Sequence, residues 1–270
     1  MYLRRERIGT GWLGPLYSGE DHSGRVVRMI PVSHLNFSLV DEVKQRHQLL
    51  ASRLVHRALP SLGIHSIGGQ SYWVSAWRTG VSLSVAMKQH SIPYPVVLVI
   101  AQQLISIFAQ AKSVGVVHGD LQPSAIWLTP NGEVWVDGFG QSITSEQVPL
   151  RFARRRYAAP SALPSVRNDI YSLGAIMVEA LTGEKIFDVG LDEEEHQKDI
   201  QKIAKKLKEK NIPKSLIQLL SKLLVFSERE RPSLAYLQKQ WRISVPERPL
   251  HTWLSSNYSV LYTVGAPEMK

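Results

Sequence analysis

Apolar positions follow two rhythms along this chain. Up to about residue 80 they come in short runs broken by turns, which reads as strands. One strand candidate ends near Ile8, a second opens near Leu16-Tyr17, and a third runs from Arg25 to Ile30 after the turn Glu20-Asp21-His22-Ser23-Gly24. Ile64 to Trp77 reads as two more strands joined at Gly68-Gly69. Between these groups, Ser38 to Val55 reads as a helix, opened by the capping pair Ser38 and Asp41.

From residue 81 the spacing turns helical. Leu98, Ala101, Leu104, Ile105 and Phe108 recur on one face of a helix predicted from Tyr94 to Val114, and Gly115 ends it. Asn131-Gly132 marks a hairpin apex before the strand Val134-Trp135-Val136. Ile176, Met177, Ala180 and Leu181 lie on another helix, with Gly183 as its stop. Glu193 to Lys210 is amphipathic, with acids first and lysines last. Ser215 to Phe226 and Ser233 to Trp241 are two further helices. The reading is a strand-rich part over 1–80, a helical part over 81–242 and a tail over 243–270 whose structure stays open.

Composition narrows the function classes. No cysteine is present, so disulfides and thiolate metal sites are excluded. Lys plus Arg number 32 against 23 Asp plus Glu, a balance of +9 that suits acidic or anionic partners or a solvated basic surface. No clear nucleic-acid motif accompanies that charge. The charged start, Met1 to Arg7, lacks the apolar middle of a signal peptide. The apolar run Val96 to Ile100 is too short to span a bilayer. The expectation is a soluble, cytoplasmic protein.

The candidate chemistry centres on Val117-His118-Gly119-Asp120-Leu121-Gln122-Pro123-Ser124-Ala125-Ile126-Trp127-Leu128. An apolar frame encloses one carboxylate, Asp120. This stretch resembles the catalytic loop of protein kinases, H-R-D-L-K-P-x-N-I-L-L. His118, Asp120, Leu121, Pro123, Ile126 and Leu128 agree with it; Gly119, Gln122, Ala125 and Trp127 do not. Other markers follow in the same order. Ile8-Gly9-Thr10-Gly11-Trp12-Leu13-Gly14 carries G-x-G-x-x-G between strands, where Gly9, Gly11 and Gly14 let a backbone approach phosphates. Val26-Val27-Arg28 resembles V-A-I-K, with Arg28 at the Lys. Ala76 and Trp77 resemble the hinge between lobes, where a ligand would meet the main chain. Asp137-Gly138-Phe139-Gly140 resembles D-F-G. Tyr157-Ala158-Ala159-Pro160-Ser161 resembles A-P-E with Ser161 at the Glu. Asp169-Ile170-Tyr171-Ser172-Leu173-Gly174 resembles the D-x-x-S-L-G start of a central helix. Gly119 also fits the H-G-D-L-H-P loop of small-molecule kinases related to aminoglycoside and choline kinases, but the longer match is to protein kinases.

The resemblance implies an α+β, two-lobed protein kinase-like fold, with a small β-rich lobe and a larger helical one. It also implies roles. Asp120 holds the place of the catalytic base. Asp169 caps the loop's main chain. Arg231 loses its usual partner, because Ser161 replaces the Glu. The Glu that usually pairs with the strand Lys falls at Arg46 or His47, so that bridge is absent. The metal ligands fall at Ala125 and at Gly138 if Phe139-Gly140 sets the register; if Asp137 sets it, a carboxylate survives. Alternation along a strand turns Asp137 away from the cleft unless a bulge redirects it. Three functions are consistent with this pattern. One is a pseudokinase, a binding or regulatory module requiring no cofactor. The second is an atypical serine/threonine kinase using Asp137. The third is a sensor that binds ATP without magnesium. The basic segment Arg151 to Arg156 suits an acidic or phosphorylated protein partner.

Overall fold

The computed structural model describes residues 2–10, 15–32, 57–139, 156–160, 164–184, 192–241 and 249–258. The expected helix over 38–55, with Arg46 and His47, lies outside them, as do Gly11, Gly14, Arg151, Arg154, Arg155 and Ser161.

The first lobe is an antiparallel sheet of five strands: β1 (Leu3–Thr10), β2 (Pro15–Glu20), β3 (Val26–Pro31), β4 (Ser61–Ile67) and β5 (Gln70–Ala76). Their spatial order is β1-β2-β3-β5-β4. Alternation along β3 sorts its side chains onto two faces. Val27 and Met29 join Tyr72 and Val74 on one face. Ile30 and Val32 join Leu16 and Trp73 on the other. Arg28 shares the parity of Ile30, so it points to the same side.

The second lobe starts with a small sheet, β6 (Val81–Ser82), β7 (Ile126–Leu128) and β8 (Val134–Val136), with β7 in the middle. The described helices are α1 (Leu83–Gln89), α2 (Tyr94–Ser113), α3 (Val166–Thr182), α4 (Glu193–Glu209), α5 (Lys214–Leu223), α6 (Leu234–Gln240) and α7 (Pro249–Asn257). Ser82 caps α1 by accepting from the Val85 amide, and Ser165 caps α3 by accepting from that of Asn168. Helix α3 is buried almost all round, as a central helix must be.

Helix α2 bears on one expectation. Its 20 residues are long and apolar enough to cross a membrane by length and composition, which the short run Val96 to Ile100 concealed. Ten of its side chains are nonetheless buried in the lobe's core, from Val96 to Ala111, and its Leu98 carbonyl accepts from the Trp241 indole. It packs as the core helix of this lobe. The tail expectation, left open, resolves in part. Helix α7 lies along α2 and buries Leu250, Trp253 and Leu254.

The lobes are tied directly. Leu59 N–H donates to the Val136 carbonyl at 2.8 Å, and Val136 N–H donates to that of Arg57 at 2.9 Å. The Arg57 side chain reaches Gln103 on α2 at 2.8 Å and Glu133 at 3.2 Å.

Candidate functional site

The loop after α2 turns at Gly115 and carries His118 to Gln122 to a short 3-10 turn, Pro123–Ala125, which feeds β7. Asp169, at the start of α3, holds this loop. Its carboxylate accepts from the His118 amide at 2.8 Å and the Gly119 amide at 2.7 Å. Gly119 sits at φ 80°, a left-handed conformation that glycine adopts without strain. Burial pushes the Asp169 carboxyl up to about 7, while the two amide hydrogen bonds pull it down and Asp120 pushes it up. The scaffold role expected of Asp169 is the one its geometry supports.

His118 joins the loop to the segment after β8. Its Nε2 donates to the Asp137 carbonyl at 2.9 Å, and its Nδ1 accepts from the Asp120 amide at 3.3 Å. Those partners assign the neutral Nε2–H tautomer. Burial lowers its pKa to about 4. Phe139 packs edge-on against the His118 ring at 5.0 Å and against Phe108 of α2 at 6.4 Å.

This gives a stability signature. His118 stays neutral in the fold while the unfolded chain takes a proton near pH 6.5. Its contribution is therefore lost as pH falls from about 6.5 to 4. Asp169, with its folded pKa raised, acts in the opposite direction between about 7 and 3.8. Comparison with His118→Gln isolates the histidine. The stability advantage of the wild type over that variant shrinks by roughly 3 kcal/mol between neutral pH and the pH of full protonation. Urea denaturation across that range reads it, and an advantage independent of pH would contradict the assignment.

The cleft between the lobes holds an ion pair. Arg28 Nη1 lies 3.1 Å from Asp137 Oδ2, with side-chain exposures of 1% and 0%. The Arg28 guanidinium also stacks over the Trp127 ring, 4.1 Å from its centroid. Burial lowers the Arg28 pKa and the Asp137 charge raises it. Arg28, at the place of the Lys, is buried. One expectation changes here: Asp137 is not turned away from the cleft. Strand β8 ends at Val136, so alternation no longer governs Asp137, and Gly138 at φ 90° redirects the chain. Asp137 thereby faces Arg28 while Phe139 packs on His118.

Around this pair the other candidates are placed as follows. Ala125 is fully buried and its side chain carries no donor or acceptor. Asp120 is half-buried in the loop. Gly9 pairs with Leu16 across β1 and β2. The Ala76 amide is taken by the Pro60 carbonyl at 3.0 Å, and Trp77 is half-buried. Arg156, at the end of the basic segment, is half-buried. Among the described residues no cluster of three or more His, Cys, Asp or Glu side chains is placed to hold a metal. An open cavity of about 920 Å³ lies on the helical lobe, outside the Arg28–Asp137 site, where Lys88, His90, Tyr157, Glu179 and Lys210 are among its walls.

Arg231, expected to lose its usual Glu partner, has other partners. It is buried and well held: it donates to the carbonyls of Val225 at 3.0 Å and Phe226 at 2.8 Å and to Asn168 Oδ1 at 2.6 Å, and it stacks over Tyr171 at 4.9 Å. Sequence reasoning also passed over Trp127, although the signal was visible. A bulky ring stands there where the resembling motif carries Leu.

Comparison with known proteins agrees with this architecture. Residues 70–242 match the family described as Protein kinase domain. The chain is similar to a probable serine/threonine-protein kinase PknB of Lactococcus lactis, 28% identical over 68% of this chain and 32% of the relative. It is similar to the serine/threonine-protein kinase PknD of Mycobacterium tuberculosis, 24% identical over 83% of this chain and 36% of the relative. It is also similar to the inactive serine/threonine-protein kinase PLK5 of Mus musculus, 26% identical over 88% of this chain and 42% of the relative. The chain thus spans about a third of the length of the first curated relatives it matches.

Proposed function

The chain belongs to the protein kinase domain family, and from that premise we propose that it is a pseudokinase: a kinase-shaped binding or regulatory module without efficient phosphoryl transfer. Its relatives include proteins named as kinases and one named inactive, so membership alone does not decide activity. The cleft does.

The observation that carries the reading is the dry pair of Arg28 and Asp137. Phosphoryl transfer needs a divalent cation to neutralise the moving phosphate, held by carboxylate or amide oxygens. The residues present do not fit one. Ala125 offers no oxygen from its side chain, and Gly138 has no side chain. The Asp137 carboxylate is engaged by a guanidinium. A metal's charge stabilisation is worth several kcal/mol, and about 1.4 kcal/mol is tenfold in rate. Asp120 keeps the place of a base but has no clamped phosphate to work toward. The atypical-kinase reading has one observation in its favour, the carboxylate of Asp137 in the cleft, but that carboxylate lies against the Arg28 guanidinium.

As a binding module the chain has a plausible contact region. Tyr157 directly follows the basic segment Arg151 to Arg156 and lines the 920 Å³ cavity together with Lys88 and Lys210. That neighbourhood suits an acidic or phosphorylated protein partner.

The test is phosphate transfer from labelled ATP with magnesium to itself and to a generic basic protein. The expected result is no transfer above that of Asp120→Asn. Transfer that disappears in both Asp120→Asn and Asp137→Asn would establish an active enzyme.

A further inference from the structure

A purine nucleotide held between two lobes needs a slot for its base as well as a seat for its phosphates. We infer that Trp127 fills that slot with its own indole, and so sets this cleft against purine nucleotides. The inference deepens the pseudokinase reading and rests on it.

Trp127 belongs to β7 of the helical lobe, yet it packs against the apolar cluster of the sheet lobe formed by Leu16, Ile30, Val32 and Trp73. Leu16 is the second residue of β2, and Ile30 shares β3 with Arg28. These side chains are the roof beneath which a base would lie. A planar ring between two layers needs about 3.5–4.0 Å of clearance on each face. An indole already in contact with the roof leaves no such gap at its position.

The ring is also held from the polar side. The Arg28 guanidinium covers it at 4.1 Å and is itself anchored by Asp137 at 3.1 Å. Swinging the indole aside would break that stack and leave the buried cation with its carboxylate alone. Retreat of the strand is blocked too. β7 is the central strand of its sheet, with Trp127 paired to Ser82 on one side and to Trp135 on the other. Contacts of the indole with the roof and with the guanidinium, and of the guanidinium with the carboxylate, link the lobes.

Trimming the indole should therefore create a binding site. Titration with a fluorescent ATP analogue, with magnesium and with chelator, reads this on the full chain. The wild type is expected to show no saturable binding up to millimolar nucleotide. Trp127→Leu is expected to gain saturable binding, at least tenfold tighter than any wild-type signal, in both conditions. Trp127→Met is the second variant should the first fail to melt cooperatively. Saturable binding by the wild type overturns the inference, as does a folded variant that binds no better. Wild-type binding without phosphate transfer would remove this inference and leave the pseudokinase reading standing; wild-type transfer would remove both.

Discussion

Arg28→Ala lowers the unfolding free energy by about 3 to 5 kcal/mol, the range for removing one partner of a buried ion pair. The cause is the charge left behind. Asp137 has no exposed side-chain surface, so its carboxylate would lose the guanidinium beside it with no solvent to replace that charge. The same reasoning predicts recovery. Arg28→Met combined with Asp137→Leu replaces both charges with apolar groups of similar reach and should restore stability to within about 1 kcal/mol of the wild type, because buried pairs are often exchangeable for apolar packing. Denaturant unfolding of the two singles and the double, read as a cycle, gives the coupling. Additive losses would mean that the two side chains do not act as a pair.

Arg231→Ala has an effect of similar size, about 3 to 5 kcal/mol, for a different reason. No carboxylate faces this guanidinium in the described hydrogen bonds. Its partners are the carbonyls of Val225 and Phe226 and the amide oxygen of Asn168. Hydrogen bonds to charged groups are each worth about 1.5–3 kcal/mol, without simple additivity, and their loss strands buried acceptors. The flat stack on Tyr171 goes as well. Arg231→Lys should recover little, because a single ammonium cannot span acceptors arranged for a fork. Near-wild-type unfolding of Arg231→Lys would contradict this.

These two arginines show what the sequence made legible and what it did not. Asp169 was readable because D-x-x-S-L-G is local: the carboxylate and the helix it starts lie within a few residues. The helical lobe was readable for the same reason, since Leu98, Leu104 and Phe108 repeat at helical spacing in α2. Arg28 was readable as a mismatch, an Arg at a Lys position, but not as a buried residue. Its partner Asp137 lies in the other lobe, and no spacing rule connects them. The orientation of Asp137 was misjudged because alternation was carried past Val136, where the strand ends. The loss of a Glu partner for Arg231 was readable from Ser161, but the oxygens that hold it instead, from residues 167–168 and 225–226, were not. Trp127 was seen as a departure from a motif, but the packing that gives it meaning comes from β2 and β3, far earlier in the chain.

On the pseudokinase proposal, the Arg28 guanidinium takes the place of a divalent cation beside Asp137. Manganese(II) titrated into the protein with ATP, followed by electron paramagnetic resonance, tests it most directly. The expected result is that the ion partitions between water and ATP alone, with no protein-bound signal at stoichiometric concentration. A protein-bound manganese that Asp137→Asn abolishes would contradict it.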